Sequence, residues 1–189
     1  MGIDWNTLRT LDGSQPKAFE ELCCQLAAHE SSLQGSTFVR LAAPDAGVEC
    51  YWTLPNGDEW GWQAKFFTSP PTENQWKELD KSVETALEKH PRLTSYTVCF
   101  PIDRQDPRLE KQLWFMDKWN RRVEKWQRWA QAKKRNVEFP YWGEHEIFLR
   151  LSREEHRGRY FFWVNCLAAI CEASNQNNSN CNGCLCKCL

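Results

Sequence analysis

Glu49, Gln63 and Lys65 have the residue types and spacing to do chemistry. A carboxylate and an amide oxygen on neighbouring strands can hold a hard divalent cation, which takes oxygen ligands and keeps part of its water shell. Because side chains alternate along a strand, Gln63 and Lys65 share one face while Ala64 points away. An ammonium then stands beside the cation. The reaction that needs this set is attack of water on a phosphodiester. There a metal offsets charge on the phosphate and lowers the pKa of water, and a lysine orients the water or stabilises the pentavalent phosphate.

That chemistry depends on the register of a hairpin. Val48 to Leu54 and Glu59 to Phe67 read as strands on either side of the turn signal Pro55-Asn56-Gly57-Asp58. A two-residue Asn56-Gly57 loop would set Glu49 opposite Ala64, on the wrong face. A three-residue loop, Pro55-Asn56-Gly57, pairs Leu54 with Asp58 and therefore Glu49 with Gln63. Pro suits the first central position of a type I turn and Gly the left-handed bulge position after it, which favours the longer loop.

The surrounding elements follow from pattern. Ser14-Gln15-Pro16 reads as a helix start, with a helix to about Glu30 whose apolar stripe is Phe19, Leu22, Cys23 and Leu26. Glu20 lies at the margin of that stripe. Thr37 to Leu41 predicts a strand, Thr72 to Lys89 a helix and Tyr96 to Phe100 a strand. A long helix is expected from about Pro107 to Arg135, then an extended segment Val137 to Trp142, a helix Glu144 to His156 and a short strand Tyr160 to Val164. This order predicts an α/β sandwich with a central mixed β-sheet flanked by helices.

The run Asp45-Ala46-Gly47-Val48-Glu49, a hairpin and then Gln63-Ala64-Lys65 resembles the Mrr-like branch of the PD-(D/E)xK nuclease superfamily. Phe19-Glu20-Glu21-Leu22 is similar to that family's first helix. The blocks Gly47-Val48-Glu49 and Gly61-Trp62-Gln63-Ala64-Lys65 also resemble the N-terminal nuclease modules of bacterial antiviral STAND NTPases of the Avs type. The resemblance covers roughly residues 14 to 165 and implies a restriction-endonuclease-like fold that cleaves double-stranded DNA; the alternative is a catalytically silent nuclease fold used for DNA binding or protein association. It implies Mg²⁺, with Mn²⁺ as a substitute, on Glu49 and the oxygen of Gln63, with Glu20 assisting and Lys65 catalytic. Asp45 is either a further metal ligand or a turn-former. By the same resemblance the domain is an effector that works as a homo-oligomer, assembled through an attached or missing NTPase and sensor region.

Composition bounds these expectations. The formal net charge is −1, so attraction to nucleic acid must come from local clustering. Arg121, Arg122, Lys125 and Arg128 lie among Trp119, Trp126 and Trp129 on the long helix and are the candidate DNA contacts; the competing expectation is a tryptophan stripe packed on the sheet with solvated cations. No apolar run approaches the roughly 20 residues of a membrane span, and the first residues lack a signal-peptide pattern, so a cytoplasmic protein without a membrane partner is expected. Cys23, Cys24, Cys50 and Cys99 read as reduced core residues. Residues 166–189, which hold six of the ten cysteines, four of them after an Asn-rich run, predict a tail without fixed structure following a domain of residues 1–165.

Overall fold

The computed structural model describes residues 3–30, 33–41, 47–103 and 115–164. Helix α1 (Gln15–Ala27) starts where Ser14 accepts from the Lys17 amide and Pro16 sits in the first turn. Strands β1 (Thr37–Arg40), β2 (Cys50–Thr53) and β3 (Glu59–Ala64) follow. Helix α2 (Glu73–Lys89) begins with a reciprocal cap between Thr72 and Gln75. Then come β4 (Leu93–Cys99), α3 (Phe115–Ala132), β5 (Tyr141–Trp142), α4 (Glu144–Leu151) and α5 (Arg157–Trp163). The stretch 107–114 of the expected long helix and the expected tail of residues 166–189 lie outside the described residues.

The sheet has the order β1-β2-β3-β4-β5. It is mixed: β1, β2 and β3 run antiparallel, and β3, β4 and β5 parallel. Alternation along each strand divides the core in two. Cys50, Trp62, Ala64 and Cys99 pack with α1, α4 and α5. Tyr96, Val98 and Phe100 pack with α2 and α3, where Trp76, Phe115, Trp119, Trp126 and Tyr141 form a nest of edge-on and stacked rings. The protein is therefore an α/β domain with a mixed sheet between two helical layers.

One expected strand is a helix. Tyr160 to Val164 is rich in aromatic residues that favour strands, but Arg157–Trp163 forms α5. A strand would have buried alternate residues. Instead Phe161 and Phe162 are 42% and 48% exposed and Trp163 is 2% exposed. Trp163 donates from Nε1 to Gln25 Oε1 at 3.0 Å, and its carbonyl accepts from the Arg9 amide at 2.9 Å. Docking on α1 outweighs local propensity. The expected helix to His156 is likewise broken, by Ser152 and Arg153, into α4 and a 3-10 turn over Glu154–His156.

Candidate active site

The hairpin takes the three-residue loop. Leu54 N–H donates to Asp58 O and Gly57 N–H to Leu54 O, both at 2.8 Å, and Gly57 has φ +82°. Thr53 faces Glu59 and Cys50 faces Trp62. The ladder stops one pair short of Glu49 and Gln63. Glu49 N–H instead donates to Trp62 O at 2.8 Å, so Glu49 and Cys50 both address Trp62, in the manner of a β-bulge.

The two side chains meet nonetheless. Gln63 Nε2 donates to Glu49 Oε1 in a buried contact. Glu49 is 6% exposed and Gln63 1%. Buried polar groups of this kind need partners, and Tyr96 supplies one: its hydroxyl donates to Gly47 O at 2.7 Å and lies 3.5 Å from Gln63 Oε1. Gly47 also brings the chain close to α2. It has φ +81°, and a Cβ there would stand 2.6 Å from Ala86 N and closer still to Ser82 O. The chain entering β2 thus lies directly on the backbone of α2.

Lys65 continues the strand by one residue past β3, its N–H donating to Cys99 O at 3.0 Å. Its ammonium pairs with Glu78 Oε1 on α2 at 3.0 Å, and Glu78 is mostly exposed. Glu20 and Glu49 approach a common partner. Between them stands Arg40, the last residue of β1, with Nη2 at 2.5 Å from Glu20 Oε1 and Nη1 at 4.0 Å from Glu49 Oε2. Arg40 Nη1 also donates to Glu49 O at 2.8 Å and to Leu41 O, and Nε to Glu21 Oε2 at 3.4 Å. Burial opposes the charge on Arg40, but the hydrogen bond and charge of Glu20, with Glu21 beside it, hold the pKa above the ordinary value. No motif singled out Arg40, because its acidic partners lie on α1 and at the start of β2. Asp45 lies outside the described residues.

The remaining candidates divide. Arg122 and Lys125 fold back on Asp80 of α2, at 2.5 and 2.8 Å, and Trp126 Nε1 donates to the other oxygen of the same carboxylate at 2.8 Å. They join α2 to α3. Arg121 and Arg128 are exposed and, with Lys118, Arg122 and Lys125, line a cleft of about 310 Å³. A cleft of about 550 Å³ lies elsewhere, lined by Trp60, Trp62, Thr97 and Trp142 beside the Glu30 and Arg150 ion pair, and contains none of the candidate site. Cys23, Cys24, Cys50 and Cys99 are free, buried thiols. Burial, with Cys99 beside it, pushes the Cys23 thiol well up, and a hydrogen bond to Cys50 together with burial does the same for Cys24.

Among the described residues no group of three acidic, histidine or cysteine side chains is placed to hold a metal. The donor chemistry at Glu49 and Gln63 still fits Mg²⁺, which is content with one or two protein oxygens. What does not fit is the orientation of the Gln63 amide, which presents nitrogen to Glu49. Rotation of the amide brings Oε1 to that side and sets Nε2 against the Tyr96 phenol oxygen, which can accept. Compared with protein-family models and with curated proteins, the chain matches none.

Proposed function

We propose that this domain is a metal-dependent DNA endonuclease of the PD-(D/E)xK type, with a restriction-endonuclease-like fold and double-stranded DNA as substrate. The observation that carries the reading is the contact between the Glu49 and Gln63 side chains at the end of the β2-β3 hairpin. It puts a carboxylate and an amide side by side, with Lys65 two residues beyond.

Glu49 and the Gln63 amide oxygen would hold Mg²⁺, with Mn²⁺ as a substitute, and the ion would supply charge neutralisation at the phosphate and acidify water. Lys65 keeps its ammonium on the exposed Glu78, a type of ion pair that contributes little and exchanges readily. It can therefore turn to a phosphate oxygen. Arg121 and Arg128 extend the phosphate contacts along α3. Cleavage of both strands requires two sites, which fits a homo-oligomer assembled through an NTPase and sensor region, as in an antiphage effector.

Supercoiled plasmid incubated with Mg²⁺ tests this. The wild type should nick or linearise it. Glu49→Ala and Lys65→Ala should each lower the rate by roughly 10²-fold or more, as for removal of a charge-stabilising group. DNA binding with no cleavage by the wild type at any Mg²⁺ or Mn²⁺ concentration would contradict the reading.

A further inference from the structure

Arg40 stands where the site most needs a cation. Its guanidinium lies between the Glu20 carboxylate and the buried Glu49 carboxylate, at 2.5 and 4.0 Å. Glu49 is the acid least able to remain charged without a counter-ion, being 6% exposed. Glu20 and Arg40 are each one-third exposed at the side chain, so the gap opens to solvent on their side. Five acceptors surround the guanidinium: the carboxylates of Glu20, Glu21 and Glu49 and the carbonyls of Leu41 and Glu49. In this arrangement the protein carries its own positive charge at the mouth of the metal site.

We propose that Arg40 is a resident cation that excludes divalent metal: its contacts to Glu20 and Glu49 and the binding of a metal ion to Glu49 are alternatives, and loading requires the guanidinium to swing out. The inference rests on the metal-site reading above and adds its regulation. Two charges cannot share one small gap between two carboxylates at low dielectric without strong repulsion. The exclusion is therefore electrostatic as well as steric. Release is feasible because Glu20, Glu21 and Arg40 all reach water. Whatever draws the guanidinium outward, a DNA phosphate above all, would raise metal affinity, and reciprocity requires metal to favour phosphate capture by Arg40.

The test is Mn²⁺ binding to the full chain without DNA, followed by electron paramagnetic resonance and calorimetry. Arg40→Met, which keeps the aliphatic stem, and Arg40→Gln should bind Mn²⁺ roughly ten-fold tighter or more than wild type, the scale on which groups behind a metal ligand act. Circular dichroism establishes which variants fold. A folded variant that binds Mn²⁺ no tighter, or more weakly, overturns the proposal while leaving the metal site intact. Absence of Mn²⁺ binding in wild type and variants alike overturns the metal-site reading and this proposal with it. On the wild type, the Arg40 Nε–Hε resonance supplies a measurement that needs no variant. Its solvent exchange should speed up at saturating Mg²⁺, because a guanidinium that swings out gives up the Nε contact to Glu21; an unchanged exchange rate once Mg²⁺ is bound overturns the exclusion.

Discussion

Gln63 Nε2 donates to the Glu49 carboxylate at the end of the β2-β3 hairpin, so the amide faces its acidic neighbour with nitrogen and not with oxygen. This contact partners the buried Glu49 carboxylate; under the proposed metal-site reading a bound ion would reverse it. Gln63→Glu should expose the difference. Two buried carboxylates would face each other, lowering stability by about 2 kcal/mol without metal. Thermal denaturation should show Mg²⁺ restoring the loss in the variant. A loss that Mg²⁺ leaves unchanged would count against Glu49 and residue 63 as a joint metal site.

Gly47 sets how closely the segment before Glu49 lies on α2. With φ +81° and a Cβ position only 2.6 Å from Ala86 N, Gly47→Ala combines backbone strain with a clash against a helix backbone. It should cost about 2–4 kcal/mol, read by urea denaturation. It should also weaken Mn²⁺ binding in whatever fraction remains folded. A variant as stable as wild type would mean that the close approach does not hold this segment.

The hairpin register was legible because turn chemistry is local: Pro55, Asn56 and Gly57 specify their loop, and the loop specifies which residues face each other. The starts of α1 and α2 were legible for the same reason, through Ser14 with Pro16 and Thr72 with Gln75. Arg40 was not, since its partners come from α1 and β2 and only the folded sheet assembles them. The expected strand at Tyr160 to Val164 failed because aromatic residues serve a helix docked on α1 as well as they serve a strand. The ladder's end at Cys50 was also hidden, because nothing in the residues from Gly47 to Glu49 announces a bulge. The candidate basic face was half visible: the sequence shows seven cations from Arg121 to Arg135 but not that Asp80 holds two of them.

Asp80 makes that division measurable. It is 8% exposed and takes Arg122, Lys125 and Trp126 together. Asp80→Ala should destabilise the domain by about 1–2 kcal/mol, because it leaves the buried Trp126 Nε1–H without its acceptor and takes the shared counter-ion from the half-buried Arg122 and Lys125. By contrast, neutralising Arg121 and Arg128 should leave stability within about 0.5 kcal/mol and reduce the salt dependence of DNA binding by about one phosphate contact for each residue. An unchanged salt slope would remove α3 from the DNA interface.

His156 supplies a pH dependence unrelated to the site. It is 1% exposed, its ring meets His29 edge-on at 4.7 Å, and Arg159 lies 3.1 Å from its Nδ1. Burial, then His29 and Arg159, lowers its pKa below the ordinary imidazole value; Glu155 opposes them and Arg153 adds to them. The unfolded chain therefore takes up a proton at a higher pH than the folded one. The stability contributed by the neutral ring is complete above about pH 6.5 and is lost as pH falls below it toward the folded value. Denaturant unfolding between pH 7.5 and 5.5 should show this slope, reduced in His156→Gln. An equal slope in both would assign it to other groups.

Whether Glu49 and Gln63 hold a metal is decided most directly by anomalous diffraction from crystals soaked in Mn²⁺. A peak is expected about 2 Å from a Glu49 carboxylate oxygen and from Gln63 Oε1, with the Gln63 amide turned over and the Arg40 guanidinium displaced from Glu20. Crystals saturated with Mn²⁺ that show no peak there, with Gln63 Nε2 still on Glu49, would contradict the metal site.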